Sequence, residues 1–441
     1  MRKIFLTLLF IFLTFNASYA QEISRDISGL SLEECILLSL NNHPSLRKTK
    51  ASVQDMAAQL ESLRAATRVK LSLSGSLGYN GDFDYWDEKY HGQSLSLSAS
   101  QLLYDNSRNK IQRQIREESL SGSKETHRNT MITVAAEAKR KYYDLVLKFL
   151  DRDLQREKVS NLEEHLKSAQ GLYEVGNSPY IDVTKAQADL SSAKVSLLKA
   201  ENDILLAQEA LKVAMGTEID SPFNIALSAE LSLPSLPEDM SNLVAKALED
   251  RPDFRKAMSD IRAGELTIKD AARANSPTIT GQLSASFSNR ENSNASENYS
   301  TSINLSVPII DGGETKASVA RARAQLAQTN ADADSLRQSI TYSVMSAALS
   351  LLNANDSAKA AEETVKYSEE NLELSQGRYN VGVGNSIEVS DAVSALATAK
   401  HTYYQALHDA QTAKTDLDEA LGHFPQEIEE IERREELWEA Q

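Results

Sequence analysis

The side chains able to do chemistry in this 441-residue chain are few, and their spacing excludes most reactions. The seven histidines are scattered, with no HExxH pair, no phosphate-cradling glycine loop and no nucleophile elbow around a serine. His401 and His408 share a helix face seven residues apart, but with no further ligand beside them they read as surface residues. Cys35 is the only cysteine, so it cannot enter an intrachain disulfide and reads as a small apolar residue on a helix face. The expectation is therefore a protein that is not an enzyme, with no cofactor and no metal. What remains is the placement of carboxylates. Asp182, Glu388 and Asp391 fall in the first turns of helices, where negative charge meets the positive end of the helix dipole.

Each acid follows an interruption. Residues 173–183 read YEVGNSPYIDV, and 206 positions later residues 379–389 read YNVGVGNSIEV. Gly176 and Gly382 suit the left-handed residue that ends a helix. Ser178 and Pro179 suit an N-cap and a first helical position, and Asn385 with Glu388 has capping-box spacing. At the same offset LSLSASQLLYD (95–105) aligns ungapped on TSINLSVPIID (301–311), and at a nearly equal one EECILLSLNNHPSLRK (33–48) resembles SNLVAKALEDRPDFRK (241–256). Gly216 and Gly422 close the matching segments. Such self-similarity marks a duplication: a first copy over 21–216, a proline-bearing linker over 217–238, a second copy over 239–422, and an acidic tail over 423–441.

The ends and the charge narrow the class. Residues 1–20, MRKIFLTLLFIFLTFNASYA, have the basic start, short apolar run and small-x-small end of a secretory signal peptide. No later run of about eighteen apolar residues supplies a membrane-spanning helix, although a β-barrel escapes that test. A net charge of −16 argues against nucleic acid as a partner.

Each copy reads as a helix (32–67; 239–275), two strands, a helix of nearly 70 residues (107–174; 314–380), the interruption, and a further helix (179–215; 386–421). The last helix keeps a seven-residue period. Ala186, Ala193, Ala200, Ala207 and Ala214 alternate with Leu190, Leu197, Ile204 and Leu211. Ala392, Ala399, Ala406, Ala413 and Ala420 alternate with Leu396, Tyr403, Ala410 and Leu417. A sustained heptad means coiled-coil packing, and alanine on the seam permits close approach; an ordinary helical bundle reads similarly.

The strands, about 70–80, 93–105, 278–288 and 299–311, alternate at period two. Leu71, Leu73, Leu77 and Tyr79 oppose Ser72, Ser74 and Ser76; Leu95, Leu97, Ala99 and Leu103 oppose Ser94, Ser96, Ser98 and Ser100. Ile279, Leu283 and Phe287 oppose Thr280, Gln282 and Ser286, and Ile303, Leu305, Val307 and Ile309 oppose Ser302, Asn304 and Ser306. This is the pattern of a half-buried sheet or of a transmembrane β-strand. In lipid no sheet edge stays open, and four strands fall short of the ~8 that close a barrel, so a membrane location requires several copies. The loops at 81–92 and 289–299 are polar, and Phe83, Tyr85, Trp86 and Tyr90 suit a membrane interface. An exported structural or adhesive coiled-coil protein without a pore accounts for the heptads and the signal peptide, but not for strands placed alike in both copies.

In their order and duplication these segments, with LSLEECILLSLNNHPSL (30–46), resemble the TolC family of outer-membrane efflux proteins across almost the whole mature chain. The resemblance implies a mainly α fold with a small β part: a homotrimeric coiled-coil tunnel in the periplasm, capped by a shared 12-stranded barrel in outer-membrane lipid. It implies the passive exit duct of a tripartite efflux or type I secretion system. The partners would be a periplasmic adaptor (membrane fusion protein) and an inner-membrane RND or ABC transporter. It places the interruptions (about 175–179 and 381–386) at the periplasmic mouth, with Val175, Gly176, Val381 and Gly382 receiving the adaptor. It puts Glu388 and Asp391 in an acidic ring and pairs Asp182 with Tyr379 to hold the mouth shut. A latch arginine of the family falls at Gly384, so the gate is expected to have fewer polar ties.

Overall fold

The computed structural model describes residues 28–80, 90–217, 224–225, 231–236, 242–290 and 294–423. The signal-peptide segment, the loop aromatics Phe83, Tyr85 and Trp86, and the acidic tail beyond His423 lie outside the described residues.

Prolines set the first departure from the sequence reading. The opening helix of each copy is two helices, α1 (Leu32–Asn42) and α2 (Pro44–Ala65), then α5 (Leu243–Asp250) and α6 (Pro252–Ala272). His43 (φ −62°, ψ 129°) and Arg251 (φ −64°, ψ 125°) are extended at the breaks. A proline ring disfavours helical backbone in the residue before it, while its own fixed φ suits the first position of the next helix. The long helices α3 (Arg108–Glu174) and α7 (Glu314–Asn380) each run 67 residues, about 100 Å at 1.5 Å per residue. Helices α4 (Tyr180–Met215) and α8 (Ser386–Leu421) each run 36.

Four strands form one antiparallel sheet, β2 (Lys70–Asn80), β3 (Tyr90–Tyr104), β5 (Thr278–Arg290) and β6 (Ser296–Ser306), in the order β2-β3-β5-β6. The two copies therefore join through β3 and β5, with β2 and β6 as the outer strands. The register stacks like on like. Ser72, Ser98, Ser284 and Ser300 form one cross-strand row, and Leu73, Leu97, Ala285 and Tyr299 the next. Serine hydroxyls bridge the strands at 2.7 Å (Ser72–Ser98), 2.8 Å (Ser76–Ser94) and 2.8 Å (Ser284–Ser300). Two details were not anticipated. The register slips between Leu102 and Tyr104, so Leu103 is an extra residue, and it lies over Gly281, where a Cβ would stand 3.3 Å from its Cδ1. Strand β6 ends at Ser306 rather than 311, because Pro308 has no N–H to give the ladder. A further short parallel pair, β1 (Ser28–Leu30) with β4 (Asn224–Ile225), lies partly in the segment read as a linker.

The turn from the sheet into each long helix is built alike from different residues. Asp105 Oδ2 accepts the Asn109 N–H at 2.7 Å, and Asp311 Oδ2 accepts the Thr315 N–H at 3.0 Å. Between acid and helix the backbone is left-handed at Asn106 (φ 54°) and Ser107 (φ 62°) in the first copy, and at Gly312 and Gly313 in the second.

The chain divides into two compact units that do not follow the repeats. One gathers residues up to Ser39, Glu137–Pro234 and Ala354–Thr412; the other takes Leu40–Ala136, Ser235–Asn353 and residues from Ala413 onward. In the first, Tyr142, Leu145, Val146 and Phe149 of α3 pack with Ile204, Leu211 and Met215 of α4, Ala358 of α7 and Ala406 and Leu407 of α8. Cys35 is sealed in this core, and burial pushes its thiol up to about 12, which makes it an inert apolar residue. In the second unit Ile340, Val344, Ala348 and Leu351 of α7 pack with Leu243 and Ala247 of α5 and with Ala413, Leu417 and Ala420 of α8. The heptad alanines and leucines of α4 and α8 are these buried positions, with Ala207, Leu197 and Tyr403 only partly covered.

Candidate functional site

The two interruptions are helix hairpins within the first unit, and each closes with the same set of backbone bonds. Gly176 (φ 78°) donates to Tyr173 O at 2.9 Å and Asn177 to Leu172 O at 2.8 Å. Gly382 (φ 76°) donates to Tyr379 O and Val383 to Arg378 O, both at 3.0 Å. This is the Schellman arrangement, whose left-handed residue needs glycine because a Cβ would crowd the following carbonyl. Open space surrounds both glycines, and Val175 and Val381 stand exposed beside them. Each turn thus presents an exposed valine beside its left-handed glycine.

The next helices start differently. Helix α8 is capped by Asn385, whose Oδ1 accepts the Glu388 N–H at 2.9 Å while its Nδ2 donates to Glu388 Oε1 at 3.3 Å. Helix α4 begins one residue later than its sequence indicates. Pro179 is the capping residue and offers no side-chain acceptor, while Ser178 Oγ donates to Asp182 Oδ2 at 2.5 Å. Both acids therefore meet a helix N-terminus, where the dipole favours their charge. Asp182 and Glu388 are half-buried and Asp391 is exposed. Arg378 Nη2 lies 3.8 Å from Glu388 Oε2, so a cation reaches this acid from the end of α7. Gly384, by contrast, is tightly packed: a Cβ there would stand 3.0 Å from Tyr379 N and 3.2 Å from Arg378 Cβ, so the backbone would have to shift by a few tenths of an ångström.

Behind the turns lies an apolar cluster of Val159 and Leu162 (α3), Leu190 and Ala193 (α4), Leu372 and Tyr379 (α7), and Val389, Ala392, Val393 and Leu396 (α8). Tyr379 is buried, and its hydroxyl finds no hydrogen-bond partner among the described residues. The hydroxyls of Ser178 and Ser386 lie beside it and favour its ionised form, but they turn toward Asp182 and His165 and neither makes a well-aligned bond with it. Burial and then the Asp182 charge hold the Tyr379 pKa above the ordinary phenol range. The structure thus brings Tyr379 near Asp182 in one electrostatic neighbourhood without a bond between them.

Several residues of this neighbourhood carry no signal in the sequence reading. His165 of α3 is 4% exposed, its Nε2 lies 2.9 Å from Ser386 Oγ, and its ring centroid lies 5.2 Å from that of Tyr379. Ser390 donates to Asp189 Oδ2 at 2.7 Å, and Ser168 to Asn380 Oδ1 at 3.2 Å. The available hint was that His165 shares a helix face with Leu162 and Ala169, where a histidine must be buried.

Farther along α8, His408 corrects its reading as a surface residue. Its side chain is 12% exposed and lies between Asp144 (Nε2 to Oδ1, 2.9 Å) and Asp409 (Nδ1 to Oδ1, 3.1 Å). Burial opposes its charge, but the bonds to Asp144 and Asp409 outweigh it and raise the pKa above 6.5. His401 stays half-exposed with Nδ1 2.7 Å from Asp151 Oδ1. No group of three or more metal-ligating side chains occurs among the described residues.

The outer membrane efflux protein model matches residues 36–217 and 243–423. Among curated proteins the chain is similar to the probable outer membrane lipoprotein SilC of Salmonella typhimurium, at 23% identity over 87% of this chain and 84% of that one. It is similar to the cation efflux system protein CusC of Escherichia coli O157:H7 at 22%, with the same coverage of 87% and 84%. The Campylobacter jejuni CmeC outer membrane channel shares the fold, with a TM-score of 0.75 at 15% identity over 94% of this chain and 93% of that one. With both repeats accounted for by one family model, the chain belongs to the outer membrane efflux protein family.

Proposed function

We propose that this chain is the outer-membrane channel-tunnel component of a tripartite efflux or type I secretion system. It forms a homotrimeric passive duct for substrates delivered by an inner-membrane transporter through a periplasmic adaptor. The observation that carries this reading is the sheet. Its leucine face is bare, with Leu71 70%, Leu73 68% and Leu77 83% exposed, and its outer strands β2 and β6 have no further strand beside them among the described residues. Neither water nor lipid tolerates that alone: a wide apolar face seeks cover, and an open edge in hydrocarbon leaves N–H and C=O groups unsatisfied. Three copies of four strands close into twelve, with leucines toward lipid and the serine rows toward the lumen.

In this assembly the helix-hairpin turns form the periplasmic mouth. Val175, Gly176, Val381 and Gly382 are the adaptor-docking rim, and Asp182, Tyr379, Glu388 and Asp391 are the gate. Glu388 and Asp391 from three copies place six carboxylates around one axis, an arrangement that attracts cations and repels anions. The test is membrane fractionation with native mass measurement, followed by planar-bilayer recording. A membrane-bound trimer is expected, with cation preference reduced in Glu388→Ala/Asp391→Ala. A soluble monomer overturns the duct, and unchanged selectivity removes these two acids from the pore.

A further inference from the structure

A histidine sealed between helices behind the proposed mouth has no role in the reading above. It meets groups from every element packed around it. Helix α8 presents Ser386 in its first turn, 2.9 Å from Nε2. Helix α7 presents the Tyr379 ring, and α4 presents Asp182, Lys185 and Asp189, whose charges all act on the imidazole. On α3 itself the charged neighbours Glu164 and Lys167 are exposed. Glu388, the acid of the first turn of α8, is held by Asn385 and Arg378.

This pocket accepts a neutral ring and resists a charged one. The imidazole lies against the positive end of α8, where a second positive charge is unfavourable. The acids of α4 that accept the Ser178 and Ser390 hydroxyls, Asp182 and Asp189, favour a charged ring, but burial outweighs them. An imidazolium is relieved of that burial only by reaching water, which requires parting the start of α8 from α3.

We infer that His165 is a gate-positioning residue that pins the start of α8 to α3 in its neutral form, so that acid loosens the mouth. The sign follows from linkage. Burial is the largest influence on His165 and lowers its pKa, ahead of the opposing charges of Asp189 and Asp182. A histidine with a depressed folded pKa contributes stability that is complete above its unfolded value near 6.5 and lost as pH falls through the folded value. Each pK unit between the packed and the released ring shifts the open–closed equilibrium about tenfold in acid.

The inference rests on the assignment of these turns to the mouth, and one experiment separates the two. The full-length protein is reconstituted in planar bilayers and recorded at pH about 7.5 and about 5.5, values that straddle an ordinary histidine. The wild type is expected to gain several-fold in open probability in acid, and His165→Gln, which keeps a hydrogen-bonding group but cannot titrate there, to respond weakly. A channel of unchanged open probability overturns the pin and leaves the duct standing, as does an undiminished response in His165→Gln. No channel at either pH overturns the duct itself. Hydrogen exchange of the wild type decides the pin without the variant. After correction for the intrinsic pH dependence of exchange, amides at 172–183 and 376–390 should exchange faster in acid relative to those of β3 and β5. Equal protection at both pH values refutes it.

Discussion

Removing the Tyr379 hydroxyl should make the mouth tighter, not looser. In Tyr379→Phe the ring keeps its place against His165 and within the cluster of Leu372, Val389 and Val393. What is lost is a buried hydroxyl with no partner among the described residues. A buried polar group without a hydrogen bond costs about 1–3 kcal/mol. The void left by one oxygen is no larger than a water-sized probe, about 10–15 Å³. At ~24 cal/mol per Å³ it takes back about 0.3 kcal/mol. The net expectation is a packed mouth more stable by about 1 kcal/mol, a roughly fivefold slowing of local opening. Hydrogen exchange of the amides at 376–390 reads this directly, and bilayer recording should show no increase in resting conductance. Tyr379→Leu, which removes the ring, should open the mouth and gives the contrast. Faster exchange or a leaky Tyr379→Phe channel would mean that the hydroxyl makes a closing bond, and the reasoning from its isolation would fail.

Three other outcomes are expected. Gly422→Ala should destabilise by about 2–4 kcal/mol, read as a lowered Tm, because φ is +71° and the new Cβ would meet Arg251 Cα and Cγ at 2.9 Å; Gly382→Ala, in open space at φ +76°, should lose only the left-handed backbone penalty of about 1–2 kcal/mol. The His408 tie should make thermal stability fall as pH rises above 6.5, since a raised histidine pKa gives stability complete below 6.5 and lost through the folded value; His408→Gln should flatten that limb. Ser107→Gly should stabilise by about 0.5–1 kcal/mol in chemical denaturation, because a left-handed serine costs ~1–2 kcal/mol and the glycine returns part of this as chain entropy.

Much of this was legible in the residues because it follows from periodicity. The alanine–leucine heptads and the serine–leucine alternation are local patterns, and one face of each is what the fold buries or stacks. The breaks at Pro44 and Pro252 were legible too, but the continuous apolar pattern around them reads as one helix. The β3–β5 seam, the slip at Leu103 and the β1–β4 pair depend on which distant segments meet, and two- or three-residue strands leave no pattern at all. The acids at the turns were visible beside their glycines. The groups that surround them, His165 and Asp189 among them, were not, because a polar residue inside a packed face is marked only by its neighbours in space.

The bare edges of β2 and β6 carry a genetic consequence. If three copies close the barrel as proposed, a protomer that folds its helices but cannot pair one edge still enters assemblies and leaves them unclosed. In a cell making normal and edge-defective chains equally, the proposed trimer would contain three normal copies in only about one ring in eight. Lesions in the outer strands should therefore be dominant, whereas lesions that unfold the helices remove the chain from the pool and should be recessive.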